Sequence, residues 1–126
     1  SSGLDEVGHL DSVRCCCWSN DGSHAITGGQ DALIIIWDAT TGTPLRELEG
    51  HTTYILSLAC AGNVLVSGST DCTIRVWDFA TGELKNTILY HSKNVESVQF
   101  LAGSDSRVLT GSLDQTIRII DIKTGL

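Results

Sequence analysis

The sequence predicts an all-β chain built from three copies of a four-stranded antiparallel unit. The first observation behind this is a fixed period. His9, His51 and His91 stand 42 and 40 residues apart, and two series of aspartates, Asp31, Asp71, Asp114 and Asp38, Asp78, Asp121, are each spaced by 40 and 43. A strand-rich pattern recurring about every forty residues marks a repeat architecture, not one ordinary core. The second observation is the texture within each copy, where short runs rich in Val, Ile and Thr are bounded by Gly, Asn and Asp. The third is a shared ending, Trp37-Asp38, Trp77-Asp78 and Ile120-Asp121.

Each element follows from this punctuation. In the first copy residues 13–18 read as a strand, Asn20-Asp21-Gly22 as a turn, and 24–27 as the second strand. Gly28 to Asp31 turns tightly, 33–37 is the third strand, and Thr41-Gly42 leads into a fourth over 43–48. The second copy repeats this at 55–59, 64–67, 73–77 and 83–89. The third gives 95–100, 107–110 and 116–120, without a fourth strand. Residues 4–7, ahead of Gly8-His9, stand where an outer strand belongs, so the chain opens with a fourth strand and closes without one.

The three segments TGGQDALIIIWD, SGSTDCTIRVWD and TGSLDQTIRIID resemble the WD40 repeat of the β-propellers, over about residues 8–125. The resemblance implies one propeller segment of three blades, at about 9–49, 51–89 and 91–121, the last lacking its own outer strand, with 4–7 completing a neighbouring blade. Propellers close with roughly four to eight blades, so the ring is expected to be incomplete. Repeat units bury their faces against neighbours, and an open stack leaves two apolar faces wet. The chain is therefore expected to be a segment of a longer propeller, a reading to which the absence of Met contributes, or a component of an oligomer. A head-to-tail ring of two copies is the specific oligomer this suggests.

Composition narrows the function classes. The net charge is −7, and the basic residues are scattered. Arg75 and Arg118 share a repeat position, but Ile35 fills it in the first copy, so no basic ring forms. Binding a phosphate backbone needs a concentrated positive footprint, and direct nucleic-acid binding is not expected. The apolar run 32–37 is too short to cross a bilayer. The five cysteines, three of them contiguous at Cys15-Cys16-Cys17, are an odd count without the paired spacing of a zinc site. They read as small buried thiols in a reducing compartment, cytoplasm or nucleus. No metal or cofactor is expected.

Each copy also offers a His, a hydroxyl and an Asp: His9, Thr27, Asp31; His51, Ser67, Asp71; His91, Thr110, Asp114. Such sets could serve as base, nucleophile and orienter, which leaves a hydrolase as the remote alternative. The resemblance implies instead a buried structural network in which Asp holds the His ring, His meets the hydroxyl, and the hydroxyl meets the indole of Trp37 or Trp77. Ile120 replaces Trp in the third copy and Tyr90 replaces Gly, so that blade is expected to be the least stable, and Trp at position 120 to raise the melting temperature. The turns at Gly28-Gly29 and Gly68-Ser69 lack the Lys-Ser/Thr of a phosphate loop.

No catalytic residues are therefore expected, and the reading is a non-catalytic scaffold for a protein or peptide partner. Its alternative is an assembly subunit whose blades are completed by a second copy or a partner chain. The resemblance places binding at the narrow mouth of the propeller. Candidate partner-binding residues there are Ser12, Arg14, Tyr54, Leu56, Asn94 and Glu96 around the innermost strands, and Gln30, Thr70 and Leu113 before each turn Asp. Thr40, Ala80 and Lys123 fill the position where ubiquitin-ligase receptors of the family often carry Arg, so the chain lends that role no support.

Overall fold

Runs of five to seven residues rich in β-branched side chains leave the backbone one economical way to satisfy its polar groups, which is to pair with the run before and after. The computed structural model describes residues 13–19, 21–89 and 91–123, and within them eleven strands. These are β1 (Val13–Trp18), β2 (His24–Gly29), β3 (Ile34–Asp38), β4 (Pro44–Leu48), β5 (Ile55–Ala61), β6 (Val64–Ser69), β7 (Ile74–Asp78), β8 (Leu84–Ile88), β9 (Val95–Phe100), β10 (Arg107–Ser112) and β11 (Ile117–Asp121). They form two four-stranded sheets, β1-β2-β3-β4 and β5-β6-β7-β8, and one three-stranded sheet, β9-β10-β11. Every pairing is antiparallel between sequence neighbours. β5 packs beside both β1 and β9, so the first strands line one edge and the sheets fan out from it. The expected strand at 4–7 lies outside the described residues.

The second strands run further than their sequence suggests. The sequence reads Gly28-Gly29 and Gly68-Ser69 as turns, yet they end β2 and β6, and Gly111-Ser112 ends β10 in the same way. The reason is a β-bulge at the same place in each sheet. Val13 pairs with Gly29 and Cys15 with Gly28, Ile55 with Ser69 and Ser57 with Gly68, Val95 with Ser112 and Ser97 with Gly111. Arg14, Leu56 and Glu96 are the extra residues, with no partner in the register, and a bulge of this kind re-aims the side chain it carries.

Packing is between sheets. Ile26, Ile34, Ile36 and Leu48 of the first sheet meet Ile55, Leu58, Leu65 and Trp77 of the second. Val66, Ile74, Val76 and Ile88 on its other face meet Val95, Val98, Val108, Ile120 and Ile122 of the third. Full burial of one such side chain is worth roughly 1.5–3 kcal/mol, so each sheet draws its stability from its neighbours. Gly28 and Gly68 permit the close approach: a Cβ built on them would lie 2.5 Å from Ile55 Cγ2 and 2.7 Å from Val95 Cγ1.

The cysteines divide by strand alternation. Cys15 and Cys17 pack partly buried towards the second sheet, beside Cys60, and Cys16 departs from the buried expectation by facing the other way, exposed. Burial pushes the thiols of Cys15 and Cys17 up to about 12, which keeps them protonated and poorly reactive. None of the five cysteines forms a disulfide.

Candidate functional site

Two constellations concentrate polar chemistry, and the turn between the second and third strands builds both. In that turn Asp31, Asp71 and Asp114 each accept, through Oδ1, the backbone N–H two residues on, from Leu33, Thr73 and Thr116 at 3.1, 2.9 and 2.9 Å. The residue between, Ala32, Cys72 or Gln115, is left-handed, with φ of 68°, 71° and 71°. In Asp71 and Asp114 the second carboxylate oxygen is thereby aimed back at the loop that enters the sheet.

In the second sheet Asp71 Oδ2 lies 2.8 Å from His51 Nδ1 and accepts the Thr52 N–H at 3.2 Å. His51 Nε2 lies 2.6 Å from Ser67 Oγ, which accepts the Trp77 indole N–H at 2.9 Å. An ionised Asp71 fixes the proton on Nδ1, so Ser67 donates to Nε2 while receiving from the indole. The third sheet repeats the arrangement, with His91 Nδ1 2.9 Å from Asp114 Oδ2 and His91 Nε2 2.8 Å from Thr110 Oγ1. No indole reaches Thr110, because Ile120 fills that place in the core. In the first sheet Trp37 donates to Thr27 at 2.8 Å. His9 lies outside the described residues.

Burial lowers the His51 pKa, against the pull of Asp71. The same burial pushes Asp71 up, but hydrogen bonds from His51 and Thr73 outweigh it and hold the carboxyl well below the usual range. Thr116, then His91, hold Asp114 low as well. Asp71 and His51 are thus a carboxylate and a neutral ring. Its hydroxyl resembles an activated nucleophile on paper, but Ser67 is 0 % exposed and Trp77 1 %. A substrate carbonyl has no approach to that oxygen.

The second constellation borders the first strands at the same end of the sheets. The bulged Arg14 reaches across to the second sheet and places its guanidinium 5.9 Å from the Tyr54 ring centroid, a cation–π contact. Tyr54 is anchored from beneath, since its carbonyl accepts the Thr70 N–H at 3.0 Å and the Ser69 hydroxyl at 2.6 Å. The Asn94 carbonyl is held equivalently by the Leu113 N–H at 3.1 Å and the Ser112 hydroxyl at 2.7 Å. The Thr70 hydroxyl is buried and has no hydrogen-bond partner. Tyr54 and Leu113 stay 40 and 54 % exposed, Glu96 is exposed, and Gln30 and Leu56 are half-buried. Of the expected mouth residues, the structure joins Arg14, Tyr54 and Thr70 on one side and Asn94 with Leu113 on the other. Ser12 lies outside the described residues.

Sequence reasoning passed over a third place, at the opposite end of the strands. Ser19, Asp21, Ser23, His24, Asn63 and Phe79 line an open cleft of about 300 Å³ between the first two sheets. His24 stands edge-on to Phe79 at 5.3 Å, and Ser23 Oγ sits 2.7 Å from both His24 Nδ1 and Asp21 Oδ1. The signal was the one histidine outside the repeat. Among the described residues no three His, Cys, Asp or Glu side chains converge as a metal site, and no helix is long and apolar enough to cross a membrane.

Comparison with known proteins agrees with this geometry. The family described as WD domain, G-beta repeat matches residues 4–38, 42–78 and 82–121. The chain is similar to the nuclear distribution protein nudF of Emericella nidulans, 38 % identical over 122 residues covering 93 % of this chain and 28 % of that protein. It is likewise 38 % identical to the guanine nucleotide-binding protein subunit beta of Arabidopsis thaliana, over 94 % of this chain and 34 % of that one. The COMPASS component SWD3 of Saccharomyces cerevisiae is 38 % identical over 86 % of this chain and 35 % of its own. The chain therefore spans about a third or less of the length of these relatives. The crystal structure of RRP9 WD40 repeats superposes with a TM-score of 0.90 at 23 % identity, over 94 % of this chain and 38 % of that one, which speaks to fold alone.

Proposed function

The chain belongs to the WD40 repeat family, and from that membership we propose that it is a non-catalytic scaffold that docks a protein or peptide partner at the mouth lined by its first strands. The observation that carries this reading is the threefold bulge. It lifts Arg14, Leu56 and Glu96 out of the register at the entry to each first strand and sets Arg14 over an exposed, anchored Tyr54. A rigid frame presenting an aromatic and an arginine side by side loses little freedom on binding. The His, hydroxyl and Asp sets are assigned to the frame, because the hydroxyls of Ser67 and Thr110 are buried and Thr27, half-buried, is engaged by the Trp37 indole. The names of the relatives, a G-protein subunit and a component of COMPASS, are those of proteins that work within assemblies, and this supports a protein partner. Five cysteines with no disulfide among them favour a cytoplasmic or nuclear setting.

The test is quantitative. Tyr54→Ala and Arg14→Ala should each weaken capture of the chain's specific partners by about 2 kcal/mol, roughly thirtyfold, while leaving the melting temperature within a few degrees. Capture indifferent to both substitutions would reject the mouth as the docking surface.

A second reading, an assembly role in which a second copy or a partner chain completes the arc, is favoured by a separate observation. Large apolar side chains lie open on the two end faces, Val13 and Trp18 at 55 and 63 % on the first sheet and Ile117 and Ile119 at 76 and 51 % on the third.

A further inference from the structure

We propose that the groove between the first two sheets, at the end of the strands opposite the mouth, docks an extended segment of a partner protein that presents a Lys or Arg side chain, then an aliphatic one, then a carboxylate. This surface lies apart from the mouth, and neither reading depends on the other.

The groove has two lobes that share His24 and Phe79 as a common wall. The polar lobe is the cleft of about 300 Å³ around Asp21, and the second, of about 420 Å³, opens between Ile36, Leu45, Arg46 and Ala80. A four-stranded sheet bounds the groove on either side. Its walls are held in place by short bonds. Phe79 and Ala80 donate their N–H groups to the carbonyl and the Oδ1 of Asn63, both at 2.9 Å, and Ser19 Oγ accepts the His24 N–H at 3.0 Å. A segment that docks here meets a preformed surface.

The polar lobe calls for a cation. Asp21 Oδ1 accepts the Ser23 hydroxyl, the Ser23 N–H and the Ser19 hydroxyl at 2.7, 3.0 and 2.8 Å, and these bonds hold its carboxyl down at about 2. Ser23 has one hydroxyl proton and gives it to this carboxylate, so across the 2.7 Å contact the donor is His24 Nδ1. A neutral His24 then keeps Nε2 as an acceptor, and Asp21 Oδ2 takes no donor from the described residues. Two acceptors, one of them ionised, suit an ammonium or a guanidinium, and the net charge of −7 draws such a group in.

The second lobe calls for the opposite. Leu45 is a bulge residue, passed over where Ile36 pairs with Arg46 and Trp37 with Pro44, and it is 50 % exposed in the same lobe as buried Ile36. Exposed Arg46 makes one polar contact among the described residues, a long one of 3.5 Å to the Thr81 carbonyl. Most of its guanidinium donors are left to a carboxylate.

The repeat does not demand these side chains. The register puts Val64 at the position of His24, and Lys85 and Asn86 at those of Leu45 and Arg46. Ile122, whose N–H meets the Ser106 carbonyl as that of Phe79 meets Asn63, stands for Phe79, and Lys123 for Ala80. The same notch between the second and third sheets is thus lined by two lysines, while the buried aliphatic, Ile36 or Val76, is kept. Packing two sheets together needs that aliphatic floor and does not need the acceptor pair, Leu45 or Arg46.

The test titrates the ¹⁵N-labelled full chain with capped Gly/Ser peptides that carry Arg, Leu and Glu in that order, at graded spacings and in both chain directions. The best of them should shift the backbone amides of Ser23, His24, Phe79 and Ala80. Asp21→Asn, which keeps Oδ1 and turns the second acceptor into a donor, and Leu45→Ser should each weaken its binding about tenfold. Arg46→Glu should weaken it as well, and a peptide with Lys in place of Glu should recover the loss. All three positions are exposed, and circular dichroism will verify the fold. Tyr54→Ala should leave the affinity unchanged. No shift at those amides with any peptide, or binding that survives both Asp21→Asn and Leu45→Ser, overturns the inference. So does binding lost in Tyr54→Ala, which assigns these peptides to the mouth. Self-association of the free chain that Leu45→Ser abolishes would make a second copy the occupant and overturn the partner segment.

Discussion

His51 and Asp71 show how one buried pair couples stability to pH. Burial keeps the folded imidazole neutral below its ordinary range, so on acidification the unfolded chain binds that proton first. The stabilisation is complete above the unfolded His pKa of about 6.5 and is lost as pH falls below it. Asp71 and Asp114 are held low by their hydrogen bonds, so their contribution is complete above about pH 4 and is lost below it. The urea midpoint should therefore hold from pH 8 to about 7, decline towards pH 5, and fall steeply beneath 4. A flat profile between 7 and 5 would contradict the neutral assignment of His51. Position 120 is a second residue-scale case. The resemblance alone suggested that Trp there would restore the missing indole donor to Thr110, worth about 1 kcal/mol. In the second sheet, however, a Cβ on Gly50 would lie 2.8 Å from Trp77 Cη2, so the indole depends on glycine in the entering loop. The third copy has changed both residues, to Tyr90 and Ile120. Ile120→Trp should accordingly gain the full increment only together with Tyr90→Gly, a coupling that a double-mutant cycle in thermal denaturation will measure.

At the level of elements, the glycines of the second strands look interchangeable in the sequence and are not. Gly68→Ala must displace Val95 or the backbone beneath it and should cost about 1–3 kcal/mol of overpacking. Gly111→Ala meets no atom closer than 4.0 Å and should fall within about 0.5 kcal/mol of wild type, as paired chemical denaturation curves will report. Equal effects would mean the third face is already filled. This pair also marks where sequence reasoning stopped. The parse into four, four and three strands was legible because turn residues and β-branched runs are local signals. The run of β2, β6 and β10 through their glycines was not, since it depends on a bulge in a different strand. Arg14 over Tyr54 was similarly hidden. Both residues were candidates, but their contact joins two sheets forty residues apart. His24 and Phe79 escaped notice because they lie outside the repeated positions.

For the whole molecule, stability is a sum over junctions, and two of them are made within the described residues. β11 has no strand on its far side among those residues, and Ile117 and Ile119 lie in water. Its amides should exchange with deuterium faster than those of β3 and β7, its counterparts one and two sheets earlier. Uniform protection across the three strands would argue against an end that frays. The bulges carry one more consequence. Arg14, Leu56 and Glu96 are a cation, an aliphatic and an anion at one equivalent place, and none of them takes part in the strand register. Natural selection can thus exchange these three side chains for almost any others without disturbing a single rung of the ladder, and a lineage can acquire new clients while keeping an old skeleton.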